Sequence, residues 1–187
     1  MSTNSIALLA LLALLVFWAL GAYNRLVRLK NLIADAFVAI DLHFKERHDL
    51  ILRLVEVAGE YLLHDAQALA PLMQARNTAS GANDALRSRP SSGRLATQLM
   101  QAEQNLSAQF EHFWNNVSTL AMQADPKLRE LAQQLTATQS KLAFACQGFN
   151  LSVAQFNAAQ QQFPTSLLAR LFGFAPAIAL ALGQSHV

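Results

Sequence analysis

Charge is scarce in this chain. Only 14% of its 187 residues are Asp, Glu, Lys or Arg, while 53% are apolar; soluble domains usually carry about a quarter of charged residues. That balance excludes disorder of the chain as a whole and points to contact with lipid. Cysteine is scarcer still. Cys146 stands alone, which rules out an internal disulfide framework. It has no basic neighbours in sequence and so reads as a small core residue, not a reactive thiol. The 14 Lys and Arg barely exceed the 12 Asp and Glu, and no window gathers the cations into a patch, so no nucleic-acid partner is expected. No useful length of strand-like alternation occurs. A Gly-rich phosphate cradle and a traceable Ser-His-Asp arrangement are also missing.

Residues 1–24 have no charged side chain at all. Within them, residues 6–23 form an 18-residue run, "IALLALLALLVFWALGAY". As a helix it reaches roughly 27 Å, just enough to cross a hydrocarbon core. Trp18 and Tyr23 lie toward one end, where interfacial aromatics belong, and Arg25, Arg28 and Lys30 follow at once. The positive-inside tendency then puts a stub of residues 1–5 outside the membrane and the remainder in the cytoplasm, as a single-pass protein. A cleaved secretory signal is the competitor: Ala19 and Gly21 suit cleavage, but a basic leader is missing.

Beyond the anchor the pattern is helical. Leu26, Leu29, Ile33, Phe37, Ile40, Phe44, Ile51, Val55, Ala58 and Leu62 recur at steps of three and four, with one gap around Arg47 and His48. No Gly or Pro intervenes between Tyr23 and Gly59, so the membrane helix is expected to run straight into the soluble one, fading toward Arg76. Residues 77–93, "NTASGANDALRSRPSSG", read as a loop or frayed hairpin. A second helix is expected over 95–123, with Leu95, Leu99, Leu106, Phe110, Phe113 and Leu120 on its buried face. Asp125 can cap the next helix and Pro126 suits its first turn.

The sharpest pattern lies in 127–162. Leu128, Leu135, Leu142, Phe149, Phe156 and Phe163 are seven apart, with Leu131, Thr138, Ala145, Ser152 and Ala159 between them. Large residues on one line and mostly small ones on the other suit interlocking helices, so this is a packing ladder in a coiled-coil-like bundle. The expected architecture is all-α: a transmembrane helix (6–23) continuing into an antiparallel bundle of three to four long helices (24–164). The apolar tail (165–187), broken at Gly173 and Pro176, is expected to pack on the bundle or lie at the membrane interface.

Ionisable residues are densest in "IDLHFKERHDLI", residues 40–51. Asp41, Lys45 and Asp49 stack four apart, and Asp41 and His48 are seven apart. Glu56, Glu60 and His64 also align at intervals of four, where di-iron bundles use Glu-x-x-His. These spacings match no catalytic motif, so ion pairs and a polar network between helices are the expected role. Asn150 and Asn157 adjoin the ladder, and Asn24 and Asn31 repeat their spacing. A part-buried amide costs free energy unless paired, and so fixes register. In a three-helix path Asn150 sits near the height of Asp41–His48; in a four-helix path Asn150 and Asn157 can meet Asn24 and Asn31. The structural polar network is accordingly expected to comprise Asn24, Asn31, Asp41, Arg47, His48, Asp49, Asn150 and Asn157.

"YNRLVRLKNLIADAFVAIDLHFKERHDLILRLVEVAGEYLLHD" (23–65), "FNLSVAQFNAAQQQFP" (149–164) and "LARLFGF" (168–174) resemble the LemA family. The resemblance implies a bacterial protein with an amino-terminal transmembrane helix and a long-helix bundle. It implies shared core positions at Tyr23, Asn24, Leu26, Val27, Leu29, Asn31, Ile40, Asp41, Arg47, Asp49, Leu50 and Ile51. At the other end it implies Asn150, Asn157, Phe163, Pro164, Gly173 and Phe174. Where the family usually has Ile-Pro-Asn-Leu-Val, this chain reads Ile51-Leu52-Arg53-Leu54-Val55, so a smoother helix is expected there. Tyr-Pro-x-Leu becomes Asp125-Pro126-Lys127-Leu128, and a common Glu-Asn pair becomes Gln139-Ser140.

The leading expectation is a membrane-anchored, non-catalytic scaffold or adaptor with neither cofactor nor metal. Its 13 glutamines between residues 95 and 165 offer a neutral, hydrogen-bonding surface to membrane or cytoplasmic protein partners, or to a second copy. Two alternatives stand beside it. One is an enzyme or metal-binding module using Asp41, His48, Asp49, Glu56, Glu60 and His64; the other is a lipid-binding or membrane-organising protein that uses its tail.

Overall fold

The computed structural model describes residues 3–59, 66–117 and 125–181. Helix α1 spans Thr3–Gly59, α2 Ala66–Ser88, α3 Gly93–Asn116, α4 Pro126–Gln161 and the short α5 Thr165–Leu171. The fold is all-α, with an apolar N-terminal helix leading into a bundle of long helices. The sites at Glu60, Leu62, His64 and Leu120, and the tail beyond residue 181, lie outside the described residues.

Helix α1 passes from the apolar run into the bundle without a break, and crosses Ile51–Val55 smoothly. No backbone-breaking residue interrupts it there. Its first turns form the one described helix long and apolar enough to cross a membrane, with an 18-residue window of mean hydropathy 2.5 that is almost wholly exposed. An exposed run of Leu side chains is intolerable in water and at home in lipid.

The expected loop at 77–93 is a correction. Residues 77–88 belong to α2, and only Arg89–Ser92 turn the chain. The Gly, Asn and Ser content misleads because small residues here serve close packing. Leu72, Ala75, Ala79, Asn83 and Leu86 form a buried stripe at helical spacing, and small side chains let two helix axes approach. The exposed Gly81 costs about 1 kcal/mol relative to Ala, which this burial offsets. Ser92 then caps α3, its hydroxyl accepting from Leu95 N–H at 3.4 Å. Asp125 caps α4 in the same way, accepting from Lys127 N–H at 2.8 Å, with Pro126 in the first turn.

Four long helices alternate in direction, so α4 runs antiparallel to α1. The register is visible in Arg25 with Gln162, Phe37 with Phe149 and Glu46 with Lys141. On α4, Leu128, Leu135, Leu142, Phe149 and Phe156 are buried. Phe163 departs from the expected ladder: it is 81% exposed, because α4 ends at Gln161 and the chain leaves the helical line before reaching it. The intervening buried line shifts by one residue, from Leu131 and Thr138 to Cys146 and Val153, before Ala159 is buried again at its expected place. A straight helix turns about 3.6 residues per turn, not 3.5, so a strict seven-residue pattern slips on it.

Two apolar cores result. The one nearer the apolar run joins Leu26, Phe37 and Phe44 of α1 to Leu99 of α3 and Phe149 and Phe156 of α4. The far one joins Ile51 and Leu54 to Leu72, Phe110, Phe113, Leu128 and Leu135. After α5, Gly173 takes φ +67, a conformation that costs glycine little. This lets Phe174 N–H reach Ala169 carbonyl and Gly173 N–H reach Arg170 carbonyl, which stops the helix. Residues 174–181 then run back along the bundle as extended chain, burying Ala177 and Leu180 in the nearer core.

Candidate functional sites: a buried charge layer, a gripped tail and a basic foot

Between the two cores sits a polar layer. Arg47 and His48, the gap in the α1 stripe, are both buried. Arg47 Nη1 donates to Glu103 Oε2, and His48 Nε2 lies 3.1 Å from Glu103 Oε1. Arg47 Nη2 also donates to Ser107 Oγ at 3.4 Å. Thr138 of α4 is buried at its place in the ladder. Burying a carboxylate and a guanidinium is costly in itself, and the pair recovers that cost only while both partners are present. The layer therefore pins the rotation of α3 against α1. Glu103 is absent from the expected network, yet the sequence carries a signal for it: it interrupts the apolar stripe Ala96, Leu99, Leu106, Phe110 and Phe113, a second gap that answers the gap in α1.

Asp41 faces α2, not this layer. Its Oδ1 accepts from Asn83 Nδ2 at 2.7 Å, Lys45 donates to Oδ2 at 2.9 Å, and Arg87 lies 3.9 Å away. Asp49 is exposed and lies 3.6 Å from Arg76. Glu56 is exposed too. Among the described residues, no three His, Cys, Asp or Glu side chains stand together as a metal site. Burial, with a smaller push from Glu103, raises the Cys146 thiol to about 11, which makes it a poor nucleophile near neutral pH.

The asparagines find partners that neither helix path anticipates. Asn150 Nδ2 donates to Leu180 carbonyl at 3.0 Å, and Leu180 N–H donates back to Asn150 Oδ1 at 2.8 Å. Asn157 does the same with Ala177, at 2.8 and 2.9 Å. Seven residues of helix rise about 10.5 Å, and three residues of extended chain span about 10 Å. The two intervals match, so each amide meets a main-chain N–H and C=O pair. The tail thus lies between α4 and α3, where Ala181 N–H reaches Met100 Sδ at 3.3 Å. The tail packs closely on the start of α3: a Cβ at Gly93 would meet the Ile178 side chain at 3.0 Å. Asn24 and Asn31 remain exposed on α1.

The fold also gathers what sequence windows scatter. Tyr23, at the end of the apolar run, packs on Phe172 and Phe174 with ring centroids 5.0 and 5.9 Å apart. A cleft of about 510 Å³ brings Lys30 and Asn31 of α1 to Ser88–Ser92 and to Gly173–Ala175. This end of the bundle collects Arg25, Arg28, Lys30, Arg89, Arg94 and Arg170, all exposed. No acidic residue occurs in 1–34, 85–102 or 131–187, the segments that build it.

Fold and charge layout define an all-helical, membrane-associated bundle protein carried by an apolar N-terminal helix. The chain belongs to the LemA family, whose model matches residues 36–186. A comparison with the curated proteins found no match.

Proposed function

We propose that this LemA-family protein is a non-catalytic scaffold, held in the bacterial inner membrane by residues 6–23 with a short N-terminus outside and the bundle in the cytoplasm. It presents the outer face of α4 to a helix of a partner protein. One observation carries this reading. On the side of α4 opposite its buried ladder, Ala137, Phe144, Leu151 and Ala158 repeat every seven residues and are all exposed, Phe144 at 76% and Leu151 at 61%. Lys141 is the only charge between Leu131 and Gln161. Single exposed apolar residues need no explanation. A second seven-residue line on a nearly uncharged helix face, however, is what helix-in-groove docking uses.

Affinity recovery from native membranes after gentle detergent extraction tests it. Wild type is expected to bring down a defined protein or a second copy, and Phe144→Lys with Leu151→Lys is expected to lose it. Recovery of wild type alone, as a monomer, contradicts the proposal.

A further inference from the structure

The foot of the bundle combines two features that single-helix anchoring does not require. First, α5 is greasier outside than inside. Thr165 and Ala169 face the bundle, whereas Leu167 (60% exposed) and Leu171 (76% exposed) face outward, with exposed Phe163 before the helix and Phe172 after it. Second, that apolar line adjoins Tyr23, where the apolar run of α1 ends, and six exposed cations lie on the same end of the bundle. Among the described residues none of the six makes an ion pair. An apolar edge that shares its end of the bundle with these cations, placed where a membrane helix emerges, matches the headgroup–acyl boundary of an anionic bilayer.

We infer that this foot is a lipid-binding surface: α5 lies in the interface, and Arg25, Arg28, Lys30, Arg89, Arg94 and Arg170 take anionic phospholipid headgroups. The inference rests on the reading that residues 6–23 cross the bilayer. The bundle then stands on the membrane on two supports, α1 and α5, and its orientation is set. Arg170, flanked by Leu168 and Leu171, is placed to bury its stem beside them while its guanidinium reaches phosphate.

The full-length protein, with Cys146→Ala and single nitroxide-labelled cysteines, is reconstituted in nanodiscs of phosphatidylcholine with phosphatidylglycerol. Labels at Leu167 and Leu171 are expected to collide with oxygen and be shielded from a water-soluble nickel chelate, and a label at Leu151 to do the reverse. Labels at 167 and 171 as open to nickel as the one at 151 overturn the inference. A label at Leu12 separates the two readings. If Leu12 is in lipid while Leu171 is in water, only the present inference fails; if Leu12 is in water, the spanning helix fails as well. The cations have their own readout. Lys30→Gln, Arg89→Gln and Arg94→Gln together change only exposed positions, and unchanged helical circular dichroism verifies folding. Each cation near an anionic surface is worth roughly fivefold in partition, so the phosphatidylglycerol enrichment around the protein is expected to fall at least severalfold in this variant. Equal enrichment in wild type and variant overturns the headgroup assignment.

Discussion

The two ends of the bundle are built differently. The far core relies on helices alone: Leu72, Phe110, Phe113, Leu128 and Leu135 meet across α1 to α4. The near core has an extra stave, because residues 174–181 lie between α3 and α4 and two asparagines hold their backbone. Charge divides the same way. All 12 acids lie outside the segments that form the foot, and six of the 14 cations lie in it with no ion pair among the described residues. A bundle with one core and a uniform surface has no preferred end. This one has a basic, tail-braced end where α1 meets lipid, and an ordinary helical end away from it.

The largest expected effect falls on the layer that joins the two ends. Glu103→Ala leaves Arg47 and His48 buried without their carboxylate and is expected to cost about 3–5 kcal/mol, read by denaturant unfolding in detergent. Glu103→Gln, which keeps one acceptor, should cost less. Phe149→Ala in the near core is expected to cost a similar ~3–5 kcal/mol. If Phe149→Ala leaves hydrogen exchange in the far core unchanged, the two cores open separately; if both lose protection together, the layer couples them.

Next comes the tail. Asn150→Ala with Asn157→Ala orphans main-chain groups at Ala177 and Leu180, at about 1–3 kcal/mol for each site. Protection of the 177 and 180 amides should vanish while that of α2 persists. The smallest effect belongs to the surface pair Lys141–Glu46, 3.5 Å apart and largely exposed. Lys141→Met should change stability by less than about 1 kcal/mol, and less still in high salt. The hydrogen bond from His43, foremost, holds the Glu46 carboxyl below its usual range. A group depressed in the folded state stabilises at pH values above its unfolded pKa, and that contribution is lost as pH falls through the folded value. Glu46→Gln should therefore matter slightly near neutral pH and not at all in strong acid, as urea midpoints across pH would show.

Much of the fold was legible because it is written in local periodicity. The uncharged run, the unbroken α1, the Asp125–Pro126 start and five members of the α4 ladder are all features of spacing along one helix. What stayed hidden depends on contacts between segments distant in sequence. Residues 77–88 look like a loop until Ala75, Ala79 and Asn83 are seen as a packing face. Phe163 keeps the seven-residue interval after the helix that gave the interval meaning has ended. The partners of Asn150 and Asn157 lie 30 and 20 residues away in extended chain, which no helical repeat points to. The basic foot is assembled from three separate segments, so no sequence window contains it. Glu103 is the instructive middle case. One charge interrupting an apolar stripe, opposite another interrupted stripe, is a readable sign of a buried pair.

If the outward line of α4 serves partners while the foot serves the membrane, Phe144 and Leu151 must touch protein in the cell. Photo-crosslinking from Phe144 and Leu151 in intact membranes measures this directly. The account predicts the same discrete protein adduct from both positions, abolished from one when the other is replaced by Lys, with no such adduct from the charged position Arg129. Equal, diffuse labelling from all three positions, or no adduct from 144 and 151, would contradict it.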